Sequence, residues 1–258
     1  MKLLLLITIL FYCVCSVYSH GYTVSPVARQ RKCTSNPKNS IWWPEDGSGI
    51  VDAPCRAAYE HVYEKNNKQS EAVIQFTQEN EYAVMIPNFD EGFTALKAAV
   101  PNHICSAHAI NPNAAFGDKS GMSIKFAWDG YATEVDYDSK THMSTLEIDF
   151  CATAIHNPSY WEFYLTKNNF NVEEDEVSWD NLDLVATYGN VLPSTTTSSI
   201  CISSSSYKMT ISIPYREGKS SVLVVRWQRD DPAGECFINC SDIIFKKGEK
   251  KSKKSKKN

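Results

Sequence analysis

Apolar side chains return at every second position in four stretches from residue 122 onward: Met122-Ile124-Phe126-Trp128, Leu146-Ile148-Phe150, Trp161-Phe163-Leu165 and Met209-Ile211-Ile213. A period of two puts the apolar members of each stretch on one face of an extended strand, so each predicts a half-buried antiparallel strand. Residues 221–227 (S-V-L-V-V-R-W) add a more continuous apolar run, and residues 242–245 a short closing strand. Turn chemistry separates the strands, as in Asn111-Pro112-Asn113, Trp128-Asp129-Gly130 and Asp231-Pro232-Ala233-Gly234. Regular strands with turns between them predict an all-β domain, a β-sandwich. Residues 55–65 and 91–100 instead read as helices, the second stopped by Pro101. Residues 31–100 are therefore expected as a long, partly helical insertion decorating one end of the sandwich, where binding surfaces are usually built. The Ser/Thr-rich run at 194–206 reads as a flexible surface loop tied down by Cys201.

Residues 1–19 run from Lys2 through a Leu/Ile-rich core to Val17-Tyr18-Ser19, the pattern of a secretory signal peptide. Cleavage after Ser19 makes His20 the first residue; the small-residue rule also permits cleavage after Ser16. No later segment carries about 18 uninterrupted apolar residues, so the mature chain is expected to be soluble and extracellular, without a membrane partner. Of nine cysteines, Cys13 and Cys15 leave with the leader. The remaining seven, in an oxidising compartment, predict up to three disulfides and one odd thiol. Cys33 and Cys55 flank one loop and form the best single pair. The roughly 239 residues left after the leader suit one domain, expected at 20–245 ahead of the tail.

Charge is uneven. The tail at 246–258 carries eight lysines and one glutamate and reads as a disordered, solubilising appendage. With Lys2 in the leader, residues 20–245 hold 17 basic and 29 acidic side chains. An acidic body argues against nucleic acid as a partner, because phosphate contacts need a basic face.

The common hydrolytic and nucleotide-dependent chemistries lack their signatures. No motif singles out a carboxylate pair for glycoside hydrolysis, and there is no G-x-S-x-G elbow, H-E-x-x-H, P-loop or dinucleotide fingerprint. Six histidines remain: His20, His61, His103, His108, His142 and His156. His20 stands apart, because cleavage before it places an α-amine and an imidazole on one residue. Two neutral nitrogens from one position, with a further imidazole from elsewhere, suit Cu(II) in tetragonal geometry.

The run His20-Gly21-Tyr22-Thr23-Val24-Ser25-Pro26, followed by Ala28-Arg29, resembles the mature N-terminus of lytic polysaccharide monooxygenases of the chitin-binding type 4 group, which includes spindolins and fusolins. Asn102-His103-Ile104-Cys105-Ser106-Ala107 resembles a segment of that family whose histidine is the second copper ligand. Phe163-Tyr164-Leu165-Thr166-Lys167, after Trp161, resembles its aromatic strand. Val224-Val225-Arg226-Trp227 and residues 235–242 resemble its last two strands, with Phe237 at the aromatic position beside the copper's axial side. The resemblance spans residues 20–245.

It implies an immunoglobulin- or fibronectin III-like antiparallel sandwich and a secreted copper-dependent monooxygenase, an oxidoreductase that cleaves glycosidic bonds in insoluble polysaccharide. Chitin is the first expectation and cellulose the second. One copper held by the His20 amine, the His20 ring and His103 would work with an external electron donor and dioxygen or hydrogen peroxide. His108, five residues from His103, would point to the opposite face of a strand. Trp42 and Trp43 are candidates for stacking on sugar rings. Glu45, Asp46 and Asp52 are alternatives for the acidic residue near the metal. The other reading is a non-catalytic chitin-binding or crystal-forming protein; a monomer with scope for self-assembly is expected. Asn239-Cys240-Ser241 is a glycosylation sequon next to Phe237.

Overall fold

The structure, a computed structural model, describes residues 20–128, 132–138, 140–216 and 219–246. The expected leader and nearly all of the lysine tail lie outside the described residues. The strands are β1 (His20–Ser25), β2 (Ala83–Met85), β3 (Thr133–Val135), β4 (Met143–Ala154), β5 (Ser159–Thr166), β6 (Leu182–Tyr188), β7 (Ser194–Thr195), β8 (Ser205–Pro214), β9 (Ser220–Arg229) and β10 (Glu235–Phe245). One sheet has the order β1-β4-β8-β7 and the other β2-β10-β9-β5-β6, with β3 pairing in parallel to the end of β10. The remaining pairings are antiparallel.

Between the sheets lie the alternating residues that the period of two marked out: Leu146, Ile148, Phe150, Trp161, Phe163, Leu165, Met209, Ile211 and Ile213. The continuous run in β9 has a different cause. Leu223, Val225 and Trp227 face the sandwich interior, whereas Val222 and Val224 face a second apolar layer on the outside of the same sheet, with Leu96, Val100, Ile104 and Trp179. A strand covered on both faces has no polar side to show.

The fold is mainly antiparallel sheet but not purely all-β. Among the described residues four α-helices are present: α1 (Arg29–Ser35), α2 (Ala53–Asn66), α3 (Gln69–Thr77) and α4 (Phe93–Ala99). The stretches read as helical correspond to α2 and α4, while α1 and α3 had no clear sequence signal. α2 has Pro54 in its first turn and ends on Asn67 in the left-handed region (φ 47°), whose N–H caps the Tyr63 carbonyl. Met122 to Trp128 is not a strand. It begins in a 3₁₀ turn at Ser120–Ser123 and continues as unpaired chain. Met122 and Trp128 are buried in one cluster with Tyr59, Val73 and Phe76 of α2 and α3, and Ile124 and Phe126 are partly buried against it. Among the described residues no helix is long and apolar enough to cross a membrane.

Among the described residues three disulfides form, Cys33–Cys55, Cys105–Cys240 and Cys151–Cys201, and Cys236 is a free, buried thiol. Asn239 of the sequon is fully buried, with its Oδ1 accepting from Gln30 Nε2 at 2.6 Å, so the folded chain does not present it for glycosylation. The buried Arg29 guanidinium grips Asp242 with two hydrogen bonds of 2.8 Å and donates a third to the Met122 carbonyl. Its plane lies over Trp128, 4.8 Å from the ring centroid. This one side chain ties α1, β10 and the 120–128 segment together.

Candidate metal centre

His20 opens β1, an edge strand lying opposite Ala154, the last residue of β4. The register shifts between His20 and Gly21, and Gly21 N–H leaves the sheet to donate to Asn80 O at 3.2 Å. A Cβ on Gly21 would come within 2.3 Å of the Phe150 ring and 2.5 Å of the Cys151 carbonyl. Only glycine lets the strand lie this close to β4, which gives the second residue of the N-terminal motif its physical reason.

The His20 ring is half-buried and turns Nε2 to Glu81 Oε1 at 2.6 Å; Glu81 is 3% exposed. A carboxylate only accepts, so the pair places the ring's proton on Nε2 and leaves Nδ1, the nitrogen nearer the backbone, as the lone-pair site. A carboxylate behind a ligating imidazole is a common outer contact of metal sites, fixing the tautomer and raising basicity. The donor chemistry therefore fits a metal chelated by the ring and α-nitrogen of one residue, once the bond before His20 is cut. Among the described residues no group of three or more His, Cys, Asp or Glu side chains gathers as a metal site. A site built on an amine and two imidazoles does not need one.

His103 follows α4 by four residues. It stands in the left-handed region (φ 51°) before the 3₁₀ turn Ile104–Ser106. The turn is nailed to the outer layer by buried Ile104 and the Cys105–Cys240 bridge. Its ring turns Nδ1 to Glu176 Oε1 at 2.7 Å. The turn packs on the outer side of the second sheet, while His20 opens the edge strand of the first. His108 does not lie on a strand: Ala107 and His108 are also left-handed and the segment is a tight turn.

The histidine at the His20 end of the sandwich is His156, two residues beyond Ala154. Its backbone is locked on both sides by Tyr207, whose hydroxyl accepts from His156 N–H and donates to His156 O, each at 3.0 Å. Its Nε2 lies 2.9 Å from Asp231 Oδ2, with side chains 16% and 19% exposed. Burial, then the Arg229 guanidinium, hold its pKa below the ordinary histidine value, which favours the neutral ring a metal needs. No local motif marks His156 in the sequence; the signal is positional, a histidine just past the end of the strand that pairs with β1.

Phe237 is fully buried between the sheets, its ring 5.2 Å from that of Trp227, in register with Ala83 of β2, two residues beyond Glu81. Trp42 and Trp43 are 62% and 69% exposed, on a loop held by Gln69 Nε2 donating to Trp42 O at 2.7 Å. Two of the three candidate acids have other partners for their carboxylates, and Glu45 is held through its backbone. Asp52 accepts from Asn36 and Asn39, Asp46 caps Ser48 N–H, and the Glu45 carbonyl takes the Tyr59 hydroxyl. The carboxylate on the His20 ring is Glu81, which sequence reasoning missed.

Residues 20–243 match the family described as lytic polysaccharide mono-oxygenase, cellulose-degrading. The chain is 42% identical over 251 residues to a spindolin of Heliothis armigera entomopoxvirus, covering 93% of this chain and 69% of the relative. The fusolin of Wiseana entomopoxvirus spindles superposes with a TM-score of 0.81 at 41% identity, covering 89% of this chain and 83% of that one. A lytic polysaccharide monooxygenase of Cellvibrio japonicus, described as important for efficient utilization of chitin, shares the fold at a TM-score of 0.56 and 23% identity over 87% of this chain and 98% of its own. An edge-strand histidine with a carboxylate behind its ring, on this sandwich, is thus carried by a chain that belongs to the lytic polysaccharide mono-oxygenase family.

Proposed function

We propose that the chain is a secreted copper-dependent monooxygenase acting on insoluble polysaccharide, chitin before cellulose. The observation that carries this reading is the His20–Glu81 pair, which presents Nδ1 and the α-nitrogen of one residue for chelation. Family membership supports copper as the metal, and three disulfides support an extracellular setting. Copper supplies one-electron redox chemistry, by which an external electron donor and dioxygen or hydrogen peroxide become an oxidant of C–H bonds next to the glycosidic oxygen.

The chain's own residues supply the rest. His20 provides amine and ring, and His156 the further imidazole. Glu81 holds the His20 tautomer, and Phe237 closes the inner side of the site without offering a ligand atom. Exposed Trp42 and Trp43 offer flat apolar faces to sugar rings.

A structural reading has its own support, in the similarity to a fusolin studied as spindles. The test uses protein processed to begin at His20, titrated with Cu(II) and incubated with chitin or cellulose, reductant and peroxide. Mass spectrometry should show oxidised chain ends from chitin. Tight polysaccharide binding without oxidised ends from either substrate would overturn the enzymatic reading and favour the structural one.

A further inference from the structure

We infer that Lys119 is a positioning residue for the His20 ring, acting through the turn that carries Glu81; this rests on the reading of His20 as a metal ligand. Lys119 is fully buried, an uncommon place for an ammonium. Its Nζ donates to Gln78 O at 2.8 Å, and the same carbonyl accepts the Glu81 amide at 3.1 Å. The ammonium also lies 4.7 Å from the Tyr82 ring centroid and 5.9 Å from that of Phe116. It therefore clips the 78–82 turn from beneath.

That turn grips β1 at two points, Asn80 O on the Gly21 amide and Glu81 Oε1 on the His20 ring. Lys119 is itself fixed. Its amide donates to Ala109 O at 2.8 Å, and the neighbouring Asp118, also fully buried, is held by Ser120, Asn66 and Lys65. A chain of polar contacts thus runs from the end of α2 through residues 118 and 119 to the turn, and from the turn to His20. Burial brings the Lys119 pKa down to about 7, so the side chain costs stability that methionine, of similar length, would not. Lys119→Met is accordingly expected to fold.

The experiment uses the full chain processed to begin at His20. Two readouts are taken: the 15N shifts of the His20 ring in metal-free protein, which report its tautomer, and the Cu(II) dissociation constant by calorimetry. Wild type should show the Nε2–H tautomer. Lys119→Met should mix the tautomers and weaken Cu(II) binding by about tenfold, as outer contacts of metal ligands do. In a Glu81→Ala background the same substitution should add nothing, because Lys119 acts through Glu81. A folded Lys119→Met with wild-type tautomer and affinity overturns the inference, as does a fully additive double variant, which marks a merely structural role. Should Lys119→Met not fold, Lys119→Gln takes its place under the same criteria. If wild type binds no copper, the ligand reading falls, while the tautomer comparison still decides the role of Lys119.

Discussion

His20 faces Ala154 across the edge of the first sheet, and that register, rather than any local motif, brings His156 to the same end of the sandwich. His156→Ala should weaken Cu(II) binding by well over the roughly 10- to 100-fold of outer-contact changes. His103→Ala should leave it unchanged, because that ring pairs with Glu176 on another layer. Calorimetry on both variants checks the assignment, and the reverse order of effects would restore His103.

Arg29 and Asp242 are 5% and 8% exposed, and the guanidinium makes two hydrogen bonds to the carboxylate. Asp242→Ala leaves a buried charge uncompensated and should cost about 3–5 kcal/mol in urea denaturation. Replacing both partners, as Arg29→Met with Asp242→Leu, should recover much of that loss, since the guanidinium no longer needs a partner.

Trp42 and Trp43 stand in the open. Substituting either by Ala should change stability by no more than about 0.5 kcal/mol. Pull-down with insoluble chitin should nonetheless show a severalfold loss of binding, and undiminished binding by the double variant would remove the loop from the docking face.

Lys119 supplies a pH signature. Its folded pKa of about 7 lies below the free value of 10.5, so the unfolded chain takes up the proton first. The contribution to stability is whole above the free value and is lost as pH falls toward about 7. Denaturation at pH 7 to 10 should show wild type gaining on Lys119→Met as pH rises, by up to about 1.4 kcal/mol per unit from this group. Parallel profiles would contradict it.

What the sequence disclosed followed the range of the forces involved. Alternation in residues 146–150, 161–165 and 209–213 reported burial against the facing sheet, a property each strand carries locally. The same alternation at Met122 to Trp128 misled, because a buried face needs only a covering surface, and here helices provide it instead of a ladder. The N-terminal motif was legible because it is one contiguous string, although the demands that Gly21 and Arg29 meet, a tight approach to β4 and the buried Asp242, come from far along the chain. His156 and Glu81 were not. One lies far along the chain from His20, the other beyond three helices, and only strand pairing and the 78–82 turn bring them in. The layer on which the His103 turn packs was not legible either, because a short string around a histidine does not report it.

The placement of His20 at the start of an edge strand also bears on dynamics. β1 is supported by β4 on one side and, at its beginning, by two contacts on the other, the Asn80 carbonyl and the Glu81 carboxylate. Strand ends with so little support breathe, opening at small free-energy cost compared with the whole domain. Part of the metal's binding energy is then spent on closing that frayed end. Copper would act as a clasp, slowing amide exchange at Gly21 and Tyr22 while leaving the interior strand β9 as it was, so that occupancy of the site is written in the motion of the strand that carries it.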